Sequence, residues 1–186
     1  EEVKVKLEEK TELLRLVHHR VKNNLLLINS LIDIETYSQP KVKEDLTDLT
    51  QSIHTIARAH DPLYHSPDYK QVAIKPYLEK VILSHVQTLG IKGMEILLDD
   101  PLIFHEKAIL LSLIIQKIIS NIETADLDSL RISLKAIDRN IVLEIAISNQ
   151  HPIGTHHNTL IAELVKGLDG NVAFKPSEIS VAFDAG

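Results

Sequence analysis

A long stretch without helix breakers constrains this chain most. From Val3 to Glu35 the sequence contains neither Gly nor Pro. An apolar heptad fits this stretch, with a positions at Leu7, Leu14, Val21 and Ile28 and d positions at Val3, Val17 and Leu31. The segment therefore predicts a single helix of about 50 Å, at about 1.5 Å per residue.

A second helical pattern follows a break at Tyr37–Pro40. Its apolar spacing alternates between four and three residues, through Val42, Leu46, Leu49, Ile53, Ile56 and His60. Two long helices joined by a short loop predict an antiparallel hairpin. The first helix also carries flanking apolar residues, Leu13, Leu25, Leu27, Ile32 and Ile34, which form a stripe too wide for one partner helix. A second copy would supply the missing neighbours, so we expect a homodimeric four-helix bundle.

Composition narrows the function classes. The chain has no Cys, which excludes disulfides, thiol catalysis and thiolate metal sites. A net charge of −6 gives no reason to expect nucleic acid as a partner. The most apolar stretch, Ala108–Ile122, is interrupted by polar residues and no secretory signal opens the chain, so we expect a cytoplasmic segment without membrane contact. An initial Glu and a lone Met94 indicate a piece of a longer polypeptide.

The second half of the chain has a different pattern. Pro62, Pro67 and Pro76 punctuate a connector, and we place the domain boundary between residues 66 and 67. Beyond it we predict helices at about 77–89, 106–125 and 159–168, and strands at 94–99, 131–137, 141–148, 172–174 and 179–183. This order predicts an α/β sandwich with a mixed sheet over residues 67–186, after a helical hairpin over residues 1–66.

Two adjacent histidines lie in the first helix. The heptad puts His18 at position e and His19 at position f, farthest from the seam, so His19 is expected to face water. An exposed imidazole can act as a nucleophile, although periodicity alone favours a simple solvated helix face. Leu26 shares position f with His19, and is either a tolerated exposed leucine or an anchor for a docking partner.

The residues around the histidines carry a family resemblance. The run His18-His19-Arg20-Val21-Lys22-Asn23-Asn24-Leu25 resembles the phosphoacceptor box of bacterial sensor histidine kinases of the HWE and closely related type. Ser30-Leu31-Ile32 continues the family pattern, and Ile56–Tyr64 resembles its Ala-x-x-His-Glu-x-Leu-Tyr segment, with Asp61 in place of Glu. The resemblance implies that His19, immediately before Arg20, accepts the phosphoryl group. Our own candidates for nearby polar support are Arg20, Lys22 and Asn23, and our candidate for receiver contact is Leu26.

The same family has an ATP-binding sandwich, and this sequence departs from its pattern. Asn121 matches an Asn that holds magnesium, but Lys117 stands one turn earlier where the family has Glu. Ser148 or Asn149 stands where the family has an Asp that accepts a hydrogen bond from the adenine amino group. Gly154 is the one glycine where the family has a long glycine-rich ATP lid. The resemblance therefore implies a reduced fold with a vestigial pocket at Asn121, Lys117 and Ser148, and ATP binding is in doubt.

Together these patterns favour a histidine phosphotransfer module of two-component signalling. It would exchange a phosphoryl group between His19 and the aspartate of a response-regulator receiver domain, which would bring the magnesium. The alternatives are an ATP-dependent autokinase with a divergent pocket and a non-catalytic pseudokinase scaffold. A metal site built from His60 and His65, or from His151, His156 and His157, is not expected, because neither group has a fixed helical pair or a thiolate.

Overall fold

A computed structural model describes residues 6, 10, 12, 21, 50, 52–57, 71–87, 91, 93–123, 127–148, 152–155 and 157–185. The chain divides into two compact units, Glu1–Tyr69 and Lys70–Gly186. In the first unit every described residue is helical. Ile53, Thr55 and Ala57 are buried there, so the apolar spacing correctly identified Ile53 as a core residue of the second helix.

The second unit is built on a five-stranded mixed sheet with the order β2-β4-β5-β7-β6. Its strands are β2 (Gly93–Leu98), β4 (Ser129–Ile137), β5 (Asn140–Ser148), β6 (Asn171–Lys175) and β7 (Glu178–Asp184). β2 runs parallel to β4, and the other neighbours are antiparallel. Two short strands, β1 (Gln71–Ala73) and β3 (Leu102–Phe104), form a separate antiparallel pair.

Strict alternation separates the two faces of the large sheet. Along β5 the odd-numbered residues from Ile141 to Ile147 are buried, and the residues between them are more accessible. Side chains on a strand alternate between faces, so the buried set shares one face. The register adds Ile132 and Val181 to that face. The sheet thus has a core face covered by helices and an opposite face, here called the open face.

Three helices form the second layer: α1 (Ile74–Val86), α2 (His105–Ser120) and α3 (Asn158–Lys166). α2 contacts both of the others and is buried along most of its length. The Tyr77 hydroxyl of α1 donates a hydrogen bond of 3.0 Å to Ser112 Oγ of α2, inside the core. Burial raises the pKa of Tyr77 to about 12, and the hydrogen bond with Ser112 opposes that rise. Since both helices share this bond, it fixes their register.

The predicted fold class is confirmed: a helical segment precedes an α/β sandwich with a mixed sheet. Pro76 was wrongly assigned to the connector. It lies in the first turn of α1, where a helix tolerates proline because the first N–H groups have no helical acceptor. The helix predicted to end at Ala125 ends at Ser120. The strands β1 and β3 were not predicted, since three residues are too few to show a period.

None of the described helices is long and apolar enough to cross a membrane.

Candidate functional site

The predicted phosphoacceptor residues lie outside the described part of the chain. These are His19, Arg20, Lys22, Asn23 and Leu26. Within the box only Val21 is described: it is helical and 37% exposed. The structure therefore leaves the assignment of His19 as a prediction.

The second predicted site is described and lies at the C-terminal end of α2. Lys117 and Asn121 are one helical turn apart, and each is 5% exposed. Asn121 is the C-cap residue, and its N–H bonds to the carbonyls of Ile118 and Ile119. The helix therefore ends on the buried polar side chain of Asn121, one turn after the buried Lys117.

Both polar atoms of the Asn121 side chain form hydrogen bonds with the segment that leads into α3. Its Oδ1 accepts a hydrogen bond of 3.2 Å from the backbone N–H of His157, which is itself buried. Its Nδ2 donates a longer bond of 3.4 Å to Asn158 Oδ1. The main-chain carbonyl of Asn121 accepts a third bond, of 2.8 Å, from Gly154 N–H. One residue thus anchors the segment between β5 and α3 to the end of α2. This contact of Asn121 with the segment from Gly154 to Asn158 is here called the closed corner.

Gly154 permits this close packing. A Cβ placed on Gly154 would come 2.8 Å from the Asn121 carbonyl oxygen, closer than real Cβ contacts allow. Its neighbour Ile153 is buried and donates a backbone bond of 2.7 Å to the Pro176 carbonyl. Gly154, the one glycine where the family has a long glycine-rich lid, is therefore a packing residue against the end of α2.

One buried amide near this corner stays unsatisfied. Gln116 is 1% exposed, and in the described part of the chain neither its Oε1 nor its Nε2 has a hydrogen-bond partner. Gln116 lies four residues after Ser112, on the α2 face that meets Tyr77. An unpaired buried amide costs about 1 to 3 kcal/mol. This cost is a local weakness of the helix layer.

Ser148 lies elsewhere. It is the exposed last residue of β5, directly after the buried Ile147, so it belongs to the open face. There it lines a cleft of about 510 Å³ together with Glu95 and Arg131, whose side chains form an ion pair at 2.5 Å. The described lining of this cleft includes neither Lys117 nor Asn121. The structure therefore brings two of the three predicted pocket residues together and separates the third.

These residues do not fit a magnesium–nucleotide complex. A hard cation needs free oxygen ligands, and Asn121 Oδ1 already accepts from a peptide N–H. Lys117 places a positive charge where a second oxygen ligand would be needed. The backbone contact between Gly154 and Asn121 fills the space beside the helix end. We therefore derive no chemistry through a nucleotide at this corner.

The candidate metal ligands are mostly outside the described residues. His60, His65, His151 and His156 all fall there. Among the described residues no three His, Asp or Glu side chains are placed to hold a metal ion.

Three residues of the corner were not foreseen as its anchors: Gly154, His157 and Asn158. Their bonds to Asn121 span more than thirty positions, for example 36 between His157 and Asn121. The sequence offered one signal, since Gly154 is the one glycine between β5 and α3. A lone glycine in a short connection indicates a close backbone approach.

Comparison with known proteins supports the resemblance. A family model described as "Histidine kinase" matches residues 17–89, about two fifths of the chain and including the whole box from His18 to Leu25. No curated protein matches the chain. The resemblance to bacterial sensor histidine kinases is confirmed.

Solved structures share the fold. The blue-light activated histidine kinase EL346 of Erythrobacter litoralis aligns with a TM-score of 0.64 and 16% identity, over 92% of this chain and 62% of that chain. The histidine kinase domain of the same protein gives a TM-score of 0.62 and 16% identity, over 97% of this chain and 94% of that one. Acinetobacter baumannii histidine kinase AdeS gives 0.54 and 14% identity, over 91% and 95%. The chain therefore spans about three fifths of the first of these proteins, and at these identities the likeness shows fold alone.

Proposed function

We propose that this relative of the sensor histidine kinases is a histidine phosphotransfer module of two-component signalling. Its first unit carries His19, which would exchange a phosphoryl group with the aspartate of a response-regulator receiver domain. The family match over residues 17–89 supports this assignment, because it includes His19 together with Arg20, Lys22 and Asn23. The second unit keeps the sandwich fold and serves as a structural or docking element.

The observation that favours phosphotransfer over autophosphorylation is the closed corner at Asn121. Its Oδ1 is bonded to the His157 N–H, and Lys117 replaces the acidic residue expected from the family pattern. A module that receives its phosphoryl group from a receiver needs no nucleotide pocket. Loss of that pocket is therefore compatible with a functional His19.

The transfer step requires little of this chain beyond an exposed, well-positioned imidazole. A nitrogen lone pair of His19 would attack the aspartyl phosphate, forming the N–P bond as the O–P bond breaks and the carboxylate leaves. Phosphoryl transfer depends chiefly on positioning and charge neutralisation. Arg20 and Lys22 would offset phosphoryl charge, the receiver would supply magnesium, and Leu26 would contact the receiver.

A dimeric bundle would present these residues. The heptad assigns Val21 to the seam, and its side chain is 37% exposed in the single chain, so it is accessible to a second copy. Two hairpins packed across a two-fold axis would cover the wide apolar stripe of the first helix. This arrangement belongs to the proposal, together with the boundary between residues 66 and 67.

Labelled phosphoryl transfer tests the proposal. The full chain is incubated with a panel of receiver domains phosphorylated by acetyl phosphate, and separately with labelled ATP and magnesium. We expect label from a receiver on the wild type and on His18→Gln, but not on His19→Gln. The His18 variant is the matched control, since it removes the neighbouring imidazole.

A second candidate is an ATP-dependent autokinase, which the family match to histidine kinases favours. It predicts label from ATP on the wild type and none on His19→Gln. That result would overturn the phosphotransfer assignment. Label from neither donor on the wild type would favour a non-catalytic scaffold.

A further inference from the structure

The proposed function leaves one edge of the large sheet unexplained. The strand order places β2 (Gly93–Leu98) at one edge and β6 at the other. An edge strand presents unpaired N–H and C=O groups that can pair with another strand. Native sheets shield such edges with lysine, proline, a bulge or a covering element.

The outward groups of β2 can be identified from its bonds to the neighbouring strand. Gly93 N–H donates to the Asp128 carbonyl at 3.1 Å, and Asp99 N–H donates to the Leu134 carbonyl at 2.9 Å. Backbone polar groups alternate sides along a strand, so every second residue from Gly93 to Asp99 faces β4. The three residues between them face outward: Met94, Ile96 and Leu98. In the described part of the chain their N–H groups donate no hydrogen bond.

Among the described residues, β2 has none of the sequence features that usually shield an edge. β2 contains no Lys or Pro and pairs with β4 over six residues in continuous register. Met94 and Leu97 are 45% and 52% exposed. Its one charged residue, Glu95, forms an ion pair with Arg131 of its own sheet. By contrast, β6 ends in Lys175, which pairs with Glu178 at 2.6 Å, and α3 contacts the strand.

We propose that β2 pairs antiparallel with β2 of a second copy of this chain, about a two-fold axis through Ile96. In this register Ile96 faces the partner's Ile96, and Met94 faces the partner's Leu98. These are the residues whose backbone groups point outward. Each of the three pairs exchanges two hydrogen bonds, which gives six, and the two five-stranded sheets become one.

In this register the charges of β2 are compatible with a second copy as the occupant. With the axis at Ile96, Glu95 faces the partner's Leu97, and no two carboxylates lie opposite each other. Moving the axis to residue 95 would place Glu95 opposite the partner's Glu95. Moving it to residue 97 would place Glu95 opposite the partner's Asp99. Like charges directly opposite each other destabilise a strand pair, so charge disfavours both neighbouring registers.

The contact is short. Six residues extend about 20 Å at about 3.3 Å per residue, so the paired edges bury less than the roughly 1,200 Å² typical of a stable complex. We therefore expect association that rises with concentration.

Disulfide mapping tests the register, because the natural chain has no cysteine. In the full-length chain, Ile96→Cys places two cysteines in a pair whose Cα atoms are about 5.5 Å apart, within the range a disulfide spans. We expect a covalent dimer on a non-reducing gel after mild oxidation. Met94→Cys is the matched control: its residue is well exposed, but the two copies of position 94 are four steps apart, about 13 Å along the strand. We expect no covalent dimer from it.

A second arm protects the test against misfolding of Ile96→Cys. Glu95→Cys and Leu97→Cys are prepared as separate chains, and both change exposed side chains. The register places residue 95 opposite the partner's residue 97, with Cα atoms about 4.5 Å apart. Neither chain cross-links alone, whereas their mixture does.

The proposal predicts at least a tenfold loss of the Ile96→Cys dimer when Leu97→Glu is added, because each new glutamate faces the partner's Glu95. Leu160→Glu changes a leucine of similar exposure on α3 and leaves the yield unchanged. Equal cross-linking of Met94→Cys, or none in either arm, overturns the proposal. None of these readouts uses His19 or phosphate, so they stand whether or not phosphotransfer is found.

Discussion

Two polar regions of the sandwich unit use their hydrogen-bonding groups in opposite ways. At the closed corner, the side chain and the main-chain carbonyl of Asn121 form hydrogen bonds with the segment from Gly154 to Asn158. At the β2 edge, the outward N–H groups of Met94, Ile96 and Leu98 have no acceptor among the described residues. A buried polar group that is satisfied inside the chain stabilises the fold, whereas an unpaired edge is available to a partner. The outward groups of β2 are therefore the ones that a partner strand can reach.

The largest expected effect breaks the closed corner at its tightest contact. Gly154→Ala puts a Cβ 2.8 Å from the Asn121 carbonyl, so the backbone must shift, at a cost of about 1 to 3 kcal/mol. Urea unfolding followed by circular dichroism measures it. Gly93→Ala is the control, since its Cβ would meet its nearest atom at an ordinary 3.5 Å. Equal stability of the two variants would contradict the close packing.

Asn121 either stabilises the fold or binds a ligand, and a single substitution distinguishes the two roles. Asn121→Ala removes the side-chain acceptor of the buried His157 N–H, and we expect a loss of about 2 kcal/mol in the free energy of unfolding. Asn171→Ala, at an exposed position of β6, should cost less than about 0.5 kcal/mol. Magnesium and ATP should leave the melting temperature of the wild type unchanged. A nucleotide-dependent rise in the wild type that Asn121→Ala abolishes would show a working pocket instead.

A third prediction concerns the helix layer behind the corner. Burial raises the pKa of Tyr77 from 10.0 to about 12. The folded state therefore holds this proton more tightly than the unfolded state, and the stability it contributes is complete below pH 10 and lost as pH rises towards 12. Tyr77→Phe should cost about 1 kcal/mol at pH 7 and unfold with a shallower alkaline decline. Urea unfolding between pH 7 and 11 compares the two proteins, and parallel pH curves would be the contrary result.

The smallest effect is expected at the edge. Leu97→Glu changes a half-exposed side chain on the open face, so the free energy of unfolding should move by less than about 0.5 kcal/mol. The same variant should abolish pairing between copies. A loss of more than 1 kcal/mol in the free energy of unfolding would contradict the exposure of Leu97 at the edge of the sheet.

Local sequence patterns predicted most of the second unit. The alternation from Ile141 to Ile147 is a clear strand signal, and Asp138 takes the positive φ of 55° that a tight hairpin turn requires. The early end of α2 depends instead on bonds from Asn121 to residues more than thirty positions away. No local pattern contains that information.

The candidate site divides in the same way. Family resemblance identified Lys117 and Asn121 as pocket residues, and the structure places both at one helix end. Ser148 was grouped with them, although the alternation along β5 already places it on the face opposite Ile147. Long-range contacts with Gly154 and His157, which close the corner, required coordinates.

Phosphorylation at His19 tests the central claim most directly. The full-length wild type, His18→Gln and His19→Gln are incubated with phosphorylated receiver domains or with magnesium and ATP, and each product is examined by intact mass spectrometry at neutral to alkaline pH. We predict that the wild type and His18→Gln gain the mass of one phosphoryl group from a receiver. We predict that none of the three proteins gains mass from ATP. A gain from ATP that requires His19, or a gain from a receiver that survives His19→Gln, would contradict the central claim.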